Sequence, residues 1–377
     1  MFVLVATASF GGPLALAALA APGLVDDASD SAGLAMLAAA VVFTAPLGIW
    51  LRYSRDINGA GGLYGFVEAA AGRRVALAQA AIWTFSYGLY IVYTTVQIVY
   101  DLLPAVVPGV RGYQSLLAVL IPVAIVTVMI AGRAATLIVL GVMAAGQLVL
   151  AGILDGVTLA NISTPVSSFG AGAPAGALAK ASAQTSLLYI CGSLPLFLGG
   201  ELAAPARTIR RGLTGAFLVT AGVVVLAVAP LAAAPGLLHT EIPGVSVAQQ
   251  FSGLGLARAI GIGVAVSTAG VIVWEYLALT RLVHAITRWR MRPIAAVIGA
   301  GVMLAAPFTL IDPEGFYNTL LKPSLIALWV SQLIVFAAFP LFARKRGLQI
   351  WPACAISAIA SGFAIYGVVT ALQSASS

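Results

Sequence analysis

The sequence predicts an all-α polytopic membrane protein with about eleven transmembrane helices. Three observations carry this. The chain is 61% hydrophobic and 8% charged, with a mean hydropathy of +1.05, where a soluble chain carries roughly 25% charged residues. Apolar runs long enough to cross a bilayer core recur from one end to the other. The basic residues alternate by loop, as crossing segments demand.

In order, the runs cover 2–24, 33–54, 76–100, 114–131, 134–156, 183–202, 213–233, 257–285, 293–311, 323–342 and 349–372. The first is not a cleavable signal peptide, because it lacks a basic n-region and matches the runs that follow. With the N-terminus in the cytoplasm, fifteen Lys and Arg residues fall inside, against Arg111, Lys180, Arg258 and Lys322 outside. The acidic residues Asp26, Asp27, Asp30, Asp101, Glu241, Asp312 and Glu314 also fall outside. The positive-inside rule fixes this orientation, and an odd number of spans puts the C-terminus outside. The setting is the plasma or inner membrane of the cell. The net charge of +7 serves topology, since no sustained basic stripe offers a nucleic-acid footprint.

Several chemistries find no support. Cys191 and Cys354 sit in apolar runs without disulfide or metal spacing, and His239 and His284 are far apart. No phosphate-binding, zinc-protease or serine-hydrolase motif occurs. No cofactor or metal is expected. A membrane-embedded enzyme would need an intramembrane His, Asp or Cys constellation, and only Glu275 lies deep. The chain forms one membrane domain, with two longer outer loops at 157–182 and 234–256. The second has the makings of a partly helical external lid.

Two spans are interrupted. Ser9-Phe10-Gly11-Gly12-Pro13 breaks the first and Cys191-Gly192-Ser193-Leu194-Pro195 the sixth. Proline removes a backbone donor and clashes with the preceding turn, and glycine lowers helix propensity. In lipid, freed backbone groups are tolerated only where protein or a cavity covers them. Breaks at corresponding places in two halves point to a binding site in an inverted repeat. Spans one and six correspond if the repeat unit is five helices. A kink or packing notch is the alternative, since Gly and Pro are frequent in membrane helices.

Between spans two and three, Asn58 to Gly72 holds a glycine cluster, an aromatic-bearing helical patch and a glycine stop before Arg73-Arg74. Within it, Gly61-Gly62-Leu63-Tyr64-Gly65-Phe66-Val67-Glu68 with Gly72 resembles the G-G-x-Y-x-[YF] signature of amino acid–polyamine–organocation (APC) permeases. Tyr189 to Ser193 and Glu201 to Arg210 are similar to that family's sixth helix and its exit. Thr280-Arg281 resembles a short pattern at the end of helix eight. The resemblance implies a five-plus-five inverted-repeat transporter fold of the LeuT/APC type. Its repeats would be 1–157 and 183–343, with a peripheral extra helix at 348–373. It implies a secondary transporter that moves an amino acid or related amine by alternating access, coupled to protons or sodium, as symporter or exchanger. A channel or sensor on the same fold is the alternative.

Departures touch substrate and coupling. The family's helix-six glycine and acidic positions hold Cys191 and Ser193, its Asn-Pro asparagine is Ala204, and a glutamate near the end of helix two is Arg52. Span five lacks the lysine some members use for protons. Its only long polar side chain before Asp155 is Gln147.

An amino acid carries a carboxylate and an ammonium. Half-helix N-termini suit the first, and unwound carbonyls suit the second. The expected substrate contacts are the backbone of Phe10, Gly11, Gly12, Cys191, Gly192 and Ser193, with a hydroxyl contact or a local back-bond open to Ser193. Trp83, Tyr87, Tyr90 and Tyr93 share one helical face. They pack, or Tyr87 and Tyr90 line a cavity. Glu275 lies mid-span, where a carboxylate costs about 2.5–3.5 kcal/mol on insertion scales. It is a candidate proton carrier, a counter-charge for a cation, or a structurally paired acid. Ser267 and Thr268 are candidate sodium ligands. Glu201 is either a solvated loop charge or a gating partner of Arg281 or Arg74. Residues 63–72 are expected to form a short interfacial helix with Glu68 facing water.

Overall fold

The computed structural model describes residues 1–162 and 166–373. Among the described residues, ten helical segments are long and apolar enough to cross a membrane. They are Ala28–Asp56, Arg73–Val106, Pro108–Ala131, Arg133–Asn161, Ala175–Glu201, Pro205–Ala233, Leu254–Thr287, Met291–Phe308, Pro313–Lys345 and Ile350–Gln373. These are spans two to eleven of a multi-pass membrane protein. The first span falls outside this set because it is interrupted. Helix Phe2–Thr7 ends, a turn follows, and helix Pro13–Ala15 begins an irregular second half.

Spans six and ten begin earlier than hydropathy indicates. Residues 175–183 are rich in alanine, which favours helix without adding much apolar length. Pro313 opens span ten in the first helical turn, where its missing N–H does no harm. The Asp312 carboxylate accepts from Gly315 N–H at 3.0 Å as the cap. The outer loop at 234–256 carries helix Pro243–Ser252. The loop after span two leads into helix Leu63–Ala71, as expected, with Glu68 exposed.

The packing is symmetric in a way that identifies the repeat. Span three packs on span ten and span five on span eight. Span one packs on span seven and span six on span two. Spans two and seven pair, as do four and nine. Exchanging each span with the one five places away leaves this set of pairs unchanged, as a five-plus-five inverted repeat requires. Ser86 and Ser324 fasten the three–ten contact reciprocally, each hydroxyl donating to the other's carbonyl at 2.8 and 2.9 Å.

One expectation needs correction. Span eleven is not peripheral. It lies along span ten and reaches span two, where the Phe363 ring meets Phe43 at 6.2 Å and Trp329 at 5.3 Å. Gly367 lies so close to the Trp329 indole that a Cβ there would fall on the ring. Ser357 donates to Phe336 O at 2.7 Å. A uniformly apolar helix carries no polarity to show which neighbours it faces, so the sequence pattern was silent here.

Candidate functional site

The break in span one follows from its glycines. Gly11 and Gly12 hold φ of +78° and +74°, a left-handed region that costs other residues about 1–2 kcal/mol each. Two such residues in succession end the helix, and Pro13 restarts it at a position that needs no donor. Gly12 faces span eight so closely that a Cβ would fall on Ser267 Oγ. That hydroxyl accepts from Ala15 N–H at 3.3 Å and donates to Gln147 Oε1 at 2.7 Å. The restarted helix is thus tied to spans eight and five through one serine. Trp274 Nε1 donates to Val5 O at 3.0 Å and holds the first half to span eight.

Span six is α-helical only over Ala175–Leu187. After a turn at Leu188 and Tyr189, Ile190–Glu201 continues as a 3₁₀ helix with Pro195 inside. Such helices rarely exceed three or four residues, and long ones mark hinges or strain. Gly192 stands against Phe10, and a Cβ at Gly192 would overlap that ring. The two broken segments therefore face each other directly.

A third wall comes from span three. The rings form a column, with Trp83 to Tyr87 at 4.2 Å, Tyr87 to Tyr90 at 6.1 Å and Tyr90 to Tyr93 at 4.9 Å. Tyr317 of span ten extends it at 5.5 Å from Tyr93. The Tyr87 hydroxyl donates to Cys191 Sγ at 3.9 Å. Glu275 is fully buried, and neither carboxylate oxygen has a hydrogen-bond partner among the described residues. Its electrostatic neighbours include Tyr87, Tyr90, Tyr93 and Cys191.

A cavity of about 390 Å³ opens on these segments. Of the residues expected from sequence, Gly11, Tyr90, Cys191 and Thr268 line it. Phe10, Gly12, Tyr87, Gly192, Ser193, Ser267 and Glu275 are not among its lining residues. Ser193 makes no local back-bond and keeps its O–H to donate. Gln332 of span ten donates to it at 3.4 Å. Ser267 and Thr268 diverge, as neighbours on a helix must. Thr268 donates back to Val264 O while facing the cavity. Gln97, Gln184 and Trp329 also line it and were not singled out in the sequence. Only their convergence in space distinguishes them from other span residues.

The cavity runs towards Leu24 and Gln97, away from the arginine-rich loops. The opposite side is closed. Phe197 packs on Trp83 at 4.8 Å, and Gly199 and Gly200 lie against the backbone of residues 58–60. Below them Arg281 grips Glu201 with two bonds of 2.7 and 3.3 Å, and Arg133 adds a third at 3.4 Å. Arg281 is only 4% exposed. The pairing of Glu201 with Arg281 is therefore present, Arg74 takes no part in it, and Arg133 was not anticipated.

No family model matches the sequence, and no curated protein matches it. Among solved structures, the chain is similar to MhsT in complex with L-phenylalanine, with a TM-score of 0.64 and 14% identity. The match covers 99% of this chain and 98% of that one. A likeness of that extent at so low an identity is one of fold, and the fold is the five-plus-five inverted-repeat arrangement of the LeuT type.

Proposed function

We propose that this chain is a secondary transporter that moves an amino acid or related amine across the membrane by alternating access, coupled to protons or sodium. The observation that carries the reading is the cavity of about 390 Å³. It ends on the two broken segments, extends to one side of the membrane, and is shut from the other by Phe197 and the Glu201–Arg281 pair. Its size is that of a small-molecule pocket. Repeats 1–157 and 183–343, with an added helix at 348–373, provide the two halves that rock against each other.

The freed backbone at Gly11, Gly12, Cys191 and Gly192 takes the charged ends of the substrate. Phe10, Tyr87 and Ser193 support that backbone from behind, and Tyr90 offers its phenol to the cavity. Leu16, Leu187, Val271 and Leu328 line the rest and suit an apolar side chain. MhsT, the structural neighbour, holds L-phenylalanine. Glu275, buried beside the tyrosine column, is the coupling acid. Ser267 and Thr268 are the residues through which sodium would act. The N-terminus is cytoplasmic and the C-terminus outside.

Thermal shift of the purified protein against amino acids and polyamines, at two pH values with and without sodium, identifies the ligand. Uptake of that ligand into proteoliposomes then decides function. Accumulation above the external concentration, driven by a proton or sodium gradient, is expected. Equilibration without accumulation indicates a channel, and binding without flux a sensor. Either result rejects the proposal.

A further inference from the structure

A second recess, of about 300 Å³, lies beside the cytoplasmic closure, where spans four, five, eight and nine come together. It shares no lining residue with the larger cavity. Three arginines, Arg133, Arg281 and Arg292, line the recess together with a single acidic residue, Glu201. Glu201 is already engaged by Arg281 and Arg133. Arg292 has no carboxylate within ion-pair distance among the described residues. The recess therefore holds more positive charge than it balances.

The backbone adds to that excess. The helices Arg133–Asn161 and Met291–Phe308 both begin at this recess. Neither has a side-chain cap, and neither carries an acidic residue in its first turn. The N–H groups of a first turn lack intrahelical partners, and the helix dipole places positive potential there. Guanidinium forks and open amide groups around one recess are the donors that bind phosphate oxygens.

We propose that this recess is a binding site for a phosphate group at the cytoplasmic face, whether the headgroup of an anionic lipid or a free phosphate anion. The bound group shares Arg133 and Arg281 with Glu201 and gives Arg292 its counter-charge. Because those arginines also hold Glu201, occupancy of the site bears directly on the closure of the cytoplasmic side. The inference stands on the charge and geometry of the recess alone and does not depend on what the larger cavity carries.

The test measures thermal unfolding of the whole chain with two probes. One is inorganic phosphate against chloride at matched ionic strength, in a non-ionic detergent. The other is nanodiscs of phosphatidylglycerol against phosphatidylcholine. A saturable rise in Tm with at least one probe is expected. In Arg133→Ala/Arg292→Ala the half-saturating level rises about tenfold or more, the scale of losing one or two charge-assisted contacts. Arg210→Ala/Arg211→Ala, which removes two exposed charges elsewhere on the same face, keeps the response. Phosphate alone acting identifies a free anion, and phosphatidylglycerol alone a lipid headgroup. Arg292→Ala by itself, at an exposed side chain, makes the comparison if the double variant does not purify. The proposal is overturned if neither probe exceeds its matched control, if the recess variants respond like the native chain, or if the control pair loses the response equally.

Discussion

Gly12 shows how much rests on one missing methyl group. Its φ of +74° and its closeness to Ser267 Oγ leave no room for a side chain. Gly12→Ala strains the backbone by about 1–2 kcal/mol and displaces the hydroxyl that ties Ala15 to Gln147. A lower Tm and weaker substrate stabilisation are expected in a thermal-shift assay. Gly88→Ala, with nothing within 4 Å of its added methyl, leaves both unchanged. Glu275 is the complementary case, a side chain that is costly to keep. An unpartnered buried carboxylate is destabilising, and the proposed coupling role would account for keeping it. Glu275→Gln keeps the shape and removes the exchangeable charge. Uptake should fall about tenfold or more, the scale of one charge-assisted contact, and its pH dependence should flatten while Tm holds or rises. Unchanged uptake with an unchanged pH profile rejects the coupling role. These two residues were legible in the sequence for different reasons. Adjacent glycines before a proline weaken a helix wherever they fall, and an acid in an apolar run is conspicuous at any register. Gln147 and Ser267 were each visible as polar residues, but their bond joins positions 120 apart, and no local pattern encodes it.

At the level of elements, the cytoplasmic closure and span eleven carry separate predictions. Removing one partner of a largely buried ion pair costs a few kcal/mol, because the other is left uncompensated. Glu201→Gln leaves Arg281 in that position and favours the conformation open to the cytoplasm. Cys191, which lines the cavity, reports on this directly once the exposed Cys354 is changed to serine. A membrane-impermeant thiol reagent should label Cys191 faster from the cytoplasmic side in Glu201→Gln than in the parent, and more slowly from the outside. Equal rates from both sides would separate the pair from gating. The sequence offered Arg281 as one of two partners for Glu201, because both arginines lie near the same membrane face. It could not choose between them, since the choice depends on how span eight packs on span six. Span eleven was misjudged for a related reason, as packing specificity in an apolar helix lies in shape. Helix association in lipid rests on van der Waals fit and small residues at the contact, and Gly367 under Trp329 is such a contact. Gly367→Leu should therefore lower Tm and ligand binding together, whereas Val369→Leu, at an exposed position, should do neither.

For the whole molecule, orientation decides which side the cavity serves. The basic residues cluster on the loops beside Phe197 and Glu201, and the cavity leads the other way. Span ten ends in Arg344, Lys345 and Arg346, and no Lys or Arg follows in the sequence. Loop charge of this kind favours the cytoplasmic side, and on the proposed orientation span eleven carries the chain across once more. Two measurements on one protein check this. Arg346→Cys, with both native cysteines replaced by serine, should react with an impermeant thiol reagent only in inside-out vesicles. A fluorescent reporter that matures only in the cytoplasm, fused after Gln373, should stay dark, while a phosphatase active only outside should report at the same place. If both ends of span eleven report the same side, the span count is wrong by one. The cavity would keep its place between the broken segments, but the direction in which it faces would have to be assigned anew.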